Sequence, residues 1–260
     1  MREFIAEGRT LPEAYHESLR LLQQYGPVTP CPDYNTTQKE VSMTLFVAEP
    51  LAEPRISRLF IGGYRELEQY CLEMLDGVLD FEVEKGNWKY TYHNRMVAWD
   101  SGKGEKLDQI AFVIRELKRN PSSRRAVIDV RRNPDDMDSD DPACLQHIQY
   151  FIRDGALHCK LLFRSNDACK AAFMNAYALI CLQKRIADAL GVKMGTYTHR
   201  ANSYHCYERD FAMLDGYVKR LDEAEDEDDV TFSYEDGWQE LMQSARPEIL
   251  RDVEKLKNQK

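Results

Sequence analysis

Cys144 is the side chain best equipped for covalent chemistry in this sequence. It closes the segment Pro142-Ala143-Cys144, and about twenty residues later the chain delivers Arg164-Ser165-Asn166-Asp167. Two alternating runs, 148–152 and 156–163, lie between them and meet at Asp154-Gly155, a hairpin turn pair. A thiol reacts as its thiolate, and a nearby guanidinium lowers its pKa. Pairing of the hairpin would bring Arg164 to Cys144. Arg-Ser is also a phosphate-sized set of donors, so the pattern points to covalent chemistry on a phosphorylated substrate. Alone, a cysteine in such a chain is a small, inert core residue; its neighbours decide otherwise.

Other chemistries find less support. His147 lies near Cys144, but three residues along an extended strand point to opposite faces, which predicts a structural role. The six histidines lack compact metal-ligand spacing, and no Walker-type phosphate loop is present.

The elements that must position Cys144 read as a mixture of helices and strands. Residues 13–24 carry helical spacing after Pro12, with a proline-rich loop at 26–32 and a strand at 41–47. Residues 64–75 form a helix with Leu67, Cys71, Met74 and Leu75 on one stripe. Residues 107–118 form the clearest helix, stopped by Asn120-Pro121 and followed by a strand at 126–130. A long buried helix spans 173–190 and ends at Gly191. Residues 196–207 read as an extended segment, and 238–242 as a weak helix before a charged end at 255–260. Hairpins rather than regular βαβ units predict an α+β fold.

The 260 residues suit one domain spanning 1–260, and 43% hydrophobic with 10% aromatic content argues for a globular chain. No apolar run reaches membrane length, and the first residues lack a signal-peptide core. Seven cysteines without a CxxC pair read as reduced thiols, so a cytoplasmic location is expected. The net charge of −9 is concentrated at 222–229, where seven of eight residues are acidic, predicting a solvated loop; 135–141 is a second acidic stretch. Arginines instead gather at 124–125, 131–132 and 164. This distribution suits a small anion and not duplex DNA, which requires a broad basic face.

Several segments together resemble the thymidylate synthase superfamily. They are Cys144 with its hairpin, Arg164-Ser165-Asn166-Asp167, Phe173-Met174-Asn175-Ala176-Tyr177 and His205-Cys206-Tyr207. Upstream, Asp108-Gln109-Ile110 and Asn120-Pro121-Ser122-Ser123-Arg124-Arg125 are similar to that family's helix and arginine pair. Arg65-Glu66-Leu67 is similar to the helix carrying its catalytic glutamate. The resemblance covers roughly residues 40–215, in order.

It implies a thymidylate synthase-like fold, with a mixed β-sheet packed by long helices, in a homodimer. Cys144 would add to C6 of a pyrimidine nucleoside monophosphate, so that C5 attacks the one-carbon unit of 5,10-methylenetetrahydrofolate. Glu66 would move protons around the ring. Arg164 and Ser165 would bind the 5′-phosphate, with Arg124 and Arg125 reaching it from the other subunit. Lys39 is the available basic residue of the N-terminal phosphate loop. His205 and Tyr207 would hold the sugar, and Trp99 and Asp167 the folate. Asp167 could also cap the following helix.

Departures from the synthase pattern point to its hydroxymethylase branch, which includes deoxycytidylate hydroxymethylase and the CMP hydroxymethylase of nucleoside-antibiotic biosynthesis. Leu145 follows the nucleophile where the synthase has His. No Tyr-Gly signature precedes the Asp-Gln-Ile helix, and the C-terminal end is charged. The base-reading position falls on Asn175 without a gap or on Ala176 with one inserted residue. A small residue there is similar to CMP hydroxymethylase. The resulting expectation is 5-hydroxymethylation of CMP or dCMP. Methylation of dUMP and a noncatalytic nucleotide-binding role are the alternatives.

Overall fold

Two residues in left-handed backbone, Asp154 (φ 51°) and Gly155 (φ 73°), turn the chain between the strands that flank the reactive segment, as a tight hairpin requires. The computed structural model describes residues 1–259. Lys260, the last residue of the expected charged end, lies outside the described residues.

The principal elements begin with β1 (Glu3–Gly8), α1 (Leu11–Tyr25), β2 (Val28–Cys31) and β3 (Thr36–Val47). Helices α2 (Tyr64–Asp76), α3 (Tyr92–Val97) and α4 (Gln109–Arg119) follow. Next come β4 (Val127–Asp129), the hairpin β5 (Leu145–Arg153) and β6 (Ala156–Asp167), and the central helix α5 (Ala172–Leu190). The chain continues through β7 (Lys193–Tyr207) and α6 (Phe211–Glu223) to α7 (Gln239–Asn258).

Seven strands form one mixed sheet in the order β1-β3-β7-β6-β5-β4, with β2 paired to β3. The β1/β3 and β6/β7 pairs are parallel, and β3/β7, β5/β6 and β4/β5 are antiparallel. This is the expected α+β architecture of a mixed sheet packed by helices. Helix α5 is buried along most of its length through Phe173, Ala176, Leu179, Ile180 and Ile186. Gly191 ends it with φ 69°, the left-handed cap that a Cβ disfavours. No helix among the described residues is long and apolar enough to cross a membrane.

Two register shifts matter for function. In β5, Leu145 pairs with Phe163 and His147 with Leu162, so Gln146 is an extra residue. In β7 the pairing with β3 slips between Ala201 and Tyr204. Tyr197, His199 and Ala201 are buried before the slip, and Tyr204 and Cys206 after it. A bulge exchanges the two faces of a strand. Beyond it, Ser203, His205 and Tyr207 turn away from the core.

Several elements differ from their sequence expectation. The 26–32 loop contains β2, and β1 arises from a segment without clear alternation. The weak helix at 238–242 is the start of the 20-residue α7. That helix is tied to α2 by Arg246 Nε to Glu68 Oε1 at 2.5 Å and Arg65 Nη2 to Asp252 Oδ2 at 2.8 Å. The acidic stretch is not all loop. Asp222 and Glu223 finish α6, and Asp226 caps a short turn by accepting from the amides of Asp228 and Asp229.

Candidate active site

Cys144 ends a loop that the β-hairpin holds in place from the side. Arg164 lies on the paired strand, and its amide donates to Cys144 O at 2.8 Å. Its guanidinium donates from Nη2 to Pro142 O at 2.8 Å, from Nε to Ala143 O at 3.3 Å and from Nη1 to Ser165 Oγ at 3.3 Å. Gln146, the extra residue of the bulge, donates from Nε2 to Ala143 O at 2.7 Å. The half-buried Cys144 Sγ lies 3.5 Å from Ser165 Oγ. The Cys144 thiol and the Arg164-Ser165 donors therefore share one site. His147 is not among the residues lining it.

The site is a cavity of about 310 Å³. Of the residues expected from sequence, Cys144, Arg164, Ser165, Asp167, Asn175, His205 and Tyr207 line it. Tyr34, Gln38, Tyr92, Asp141 and Asn166 line it as well. Asp167 has two uses. Its Oδ1 accepts from the amides of Cys169 and Lys170 at 3.0 Å, capping the approach to α5, while its side chain remains on the cavity wall. His205 and Tyr207 sit edge to face, ring centroids 4.8 Å apart. Burial pushes the His205 imidazole pKa down, against the opposing pull of the Asp167 carboxylate.

Asn175, and not Ala176, faces the cavity. Ala176 is fully buried in the core, because adjacent helical residues point about 100° apart. Asn175 Oδ1 accepts a short hydrogen bond from the Tyr70 hydroxyl, and its Nδ2 donates to Asn166 Oδ1 at 3.2 Å.

A second cavity of about 490 Å³ adjoins the first, sharing Tyr92 and Asp141. Its walls include Tyr70, Glu73, Met74, Leu79, Trp88 and Tyr90. Burial is the main cause raising the pKa of the Tyr70, Tyr90 and Tyr92 hydroxyls and of the Glu73 carboxyl above their ordinary ranges. These hydroxyls are neutral donors at neutral pH. Tyr92 also accepts from the amide of Leu145, next to the nucleophile, at 3.4 Å.

Other expected residues lie elsewhere. Glu66 is exposed and caps its own helix, its Oε2 accepting from the Gly63 amide at 2.8 Å. It shares a helical stripe with Tyr70 and Glu73, but stands a turn or more before them, about 6 Å along the axis from Tyr70. Trp99 is half-buried in a two-residue strand paired with Leu107, outside both cavities, whereas Trp88 lines the larger one. Lys39 points to the opposite side of β3 from Gln38 and donates to Gln23 O at 3.0 Å. Arg124 and Arg125 are exposed on the turn before β4, outside the cavity.

Tyr70, Glu73, Trp88, Tyr90 and Tyr92 were not expected from sequence. Three of them fall within five residues, Trp88-Lys89-Tyr90-Thr91-Tyr92. An aromatic cluster with polar tips and no helical or strand partner to bury it was the signal available.

Comparison with known proteins gives a consistent outcome. A family profile described as "Thymidylate synthase" matches residues 61–236. A protein of Methanosarcina barkeri described as "Putative thymidylate synthase" is 30% identical over 217 residues, 83% of this chain and 94% of its own. One of Methanocaldococcus jannaschii with the same description is 32% identical over 212 residues, 78% of this chain and 91% of its own. The thermostable thymidylate synthase A of Bacillus subtilis superposes with a TM-score of 0.64 at 20% identity. That match covers 81% of this chain and 84% of that structure.

Proposed function

We propose, from the premise that this chain belongs to the thymidylate synthase family, that it transfers a one-carbon unit to a pyrimidine nucleoside 5′-monophosphate. The reaction is 5-hydroxymethylation of a cytidine monophosphate, CMP or dCMP, through a covalent bond between Cys144 and C6. The observation that carries this reading is the 3.5 Å approach of Cys144 Sγ to Ser165 Oγ, beside Arg164, in a cavity of ligand size.

The thiolate of Cys144 adds to C6, and the ring electrons move to make C5 nucleophilic. Arg164 and Ser165 bind the phosphate, and His205 and Tyr207 hold the sugar. Asn175 pairs with the base, and Tyr70 donates to its amide. The one-carbon donor, 5,10-methylenetetrahydrofolate, supplies an electrophilic methylene when bound. The larger cavity suits it, with Trp88, Tyr90 and Leu79 as apolar walls and Glu73 and Asp141 as acceptors for ring N–H groups. Asp167 serves it from the smaller cavity. Glu73, rather than the exposed Glu66, is the carboxyl available to move protons at C5.

Loss of the C5 proton, with departure of tetrahydrofolate from the transferred carbon, would leave an exocyclic methylene while Cys144 stays bonded to C6. Addition of water to that carbon would then expel the Cys144 thiolate from C6 and give the hydroxymethyl group. The junction of the cavities is lined by Tyr70, Tyr92 and Asp141, and this polar surface supports water at the step where a synthase would use folate hydride. Ala176 is fully buried in the core, so its small size gives no ground for CMP over dCMP.

The second subunit belongs to the same proposal. The sheet face away from the helices carries half-buried Phe46, Phe151 and Leu162 and exposed Ile5, a surface for another copy. Arg124 and Arg125 would reach the phosphate held by that copy.

Incubation with CMP, dCMP or dUMP and methylenetetrahydrofolate tests the proposal by product mass. The expected product is a 5-hydroxymethylcytidine monophosphate, absent with Cys144→Ser. A methylated uracil product with dihydrofolate release would replace this reading with dUMP methylation, which the names of the relatives favour.

A further inference from the structure

Asn166, His199 and Tyr197 have no part in the steps above, yet they continue inward from Asn175 as an unbroken line of hydrogen bonds. Asn166 is 3% exposed, and His199 and Tyr197 are fully buried. Asn166 Nδ2 lies 2.8 Å from His199 Nε2, and His199 Nδ1 lies 3.0 Å from Tyr197 Oη. The imidazole stacks on Phe163 with centroids 4.7 Å apart and planes within 4°, so it cannot turn freely. Burial lowers the His199 pKa to about 3. The ring is therefore neutral, with one donor and one acceptor nitrogen.

The placement of the two amides gives the line one direction. Tyr70 donates to Asn175 Oδ1, and Asn175 Nδ2 donates to Asn166 Oδ1. Asn166 Nδ2 then donates to His199 Nε2, which leaves the imidazole proton on Nδ1, facing Tyr197 Oη. Reversing the Asn175 amide alone would set two carbonyl oxygens against each other at the 3.2 Å contact with Asn166. Reversing Asn166 as well would move the imidazole proton to Nε2 and make the Tyr197 hydroxyl the donor to Nδ1.

The direction matters because cytosine and uracil present opposite patterns. Cytosine has an acceptor at N3 and a donor at N4, whereas uracil has a donor at N3 and an acceptor at O4. In the reaction proposed above, C5 must face the larger cavity to attack the one-carbon unit. Position 4 adjoins C5, and N3 lies one atom farther away. Tyr70 lines the larger cavity. Asn175 Oδ1, on the Tyr70 side, therefore meets position 4, and Nδ2, on the Asn166 side, meets N3. An oxygen at position 4 and an N–H at N3 match cytosine.

We infer that His199, acting through Asn166, holds the Asn175 amide in the direction that accepts cytosine and rejects uracil. His199 is a specificity-determining positioning residue that never touches the substrate. The inference rests on the proposed reading of Asn175 as the base contact, but not on whether turnover gives a hydroxymethyl product.

Its test is equilibrium binding of matched pairs, dCMP against dUMP and CMP against UMP, by calorimetry on the full-length protein. The wild type is expected to favour the cytosine member. His199→Phe keeps the stack on Phe163 but frees Asn166, and should shrink that preference at least about tenfold. Asn166→Asp still accepts from Asn175 Nδ2 and should keep it. Nitrogen NMR on the unsubstituted protein is independent of any variant's folding, and should show His199 neutral with its proton on Nδ1. A uracil preference in the wild type, binding of neither base, an unchanged ratio in His199→Phe, or a proton on Nε2 would each overturn the inference. Cytosine-selective binding without hydroxymethylation would defeat only the reaction assigned above.

Discussion

Arg164→Lys separates charge from geometry at the nucleophile. The guanidinium spans three acceptors, at 2.8 Å on Pro142 O and 3.3 Å on Ala143 O and Ser165 Oγ. A lysine ammonium keeps the charge but is a single point and can hold one of them. Hydrogen bonds from charged donors contribute about 1.5–3 kcal/mol each. The two lost bonds are long and Arg164 is only half-buried, so the low end with some solvent screening applies, about 2 kcal/mol in total. At 1.4 kcal/mol per tenfold, that is a loss of about 30-fold in kcat/KM. Because Arg164 holds the Pro142-Ala143 backbone, the reactivity of Cys144 towards iodoacetamide should change as well, without any nucleotide present. The assay is therefore paired: steady-state turnover, and the second-order alkylation rate followed by intact mass. If both stay within about threefold of the parent protein, Arg164 does not organise the reactive loop and the reasoning fails.

Glu66→Gln should leave turnover within about twofold while costing about 0.5–1 kcal/mol in urea unfolding, since the carboxylate only caps α2. A loss of activity beyond about tenfold would return Glu66 to the chemistry. Arg246→Ala leaves the buried Glu68 carboxylate without its partner at 2.5 Å and should lower stability by about 2 kcal/mol, read as a lower Tm. An unchanged Tm would mean that α7 is not held by this pair. His16, bonded to Ser57 Oγ at 2.7 Å, and His199 both have pKa values lowered to about 3, mainly by burial. Below the unfolded value of about 6.5 the unfolded chain takes up protons that the folded one refuses, so this contribution is full above about 6.5 and falls as pH drops towards 3. Each histidine removes about 2 kcal/mol between pH 6.5 and 5, and His16→Gln should flatten about half of that fall in a urea series.

The segments legible in the sequence are those whose geometry is local. Asp154-Gly155 predicts its own turn, Gly191 its own helix end, and the hairpin carries Arg164 and Ser165 to Cys144 without help from the rest of the chain. Bulges left no such trace. Gln146 is extra in β5, and the slip after Ala201 is set by pairing with β3 rather than by composition. Helix α2 is legible, but Glu66, which carries the family signal, caps it, and the residues of the same face that line a cavity are Tyr70 and Glu73, a turn or more later. Trp99 carries a family resemblance and Trp88 does not, yet Trp88 is the one on a cavity wall. Helix α6 was missed because its acidic end masks the buried Leu214 and Leu221.

The slip in β7 also governs which changes the site can tolerate. Tyr204 and Cys206 fill the core, while His205 and Tyr207, their immediate neighbours, line the cavity. Even pleating of the same residues from Ala201 onward would exchange these roles at a stroke, driving two polar rings inward and a tyrosine and a thiol outward. Point changes here adjust the cavity wall by degrees, whereas loss of the slip with the residues kept trades that wall for the packing beneath it. Relatives that keep this cavity should therefore keep the slip while side chains along the segment vary.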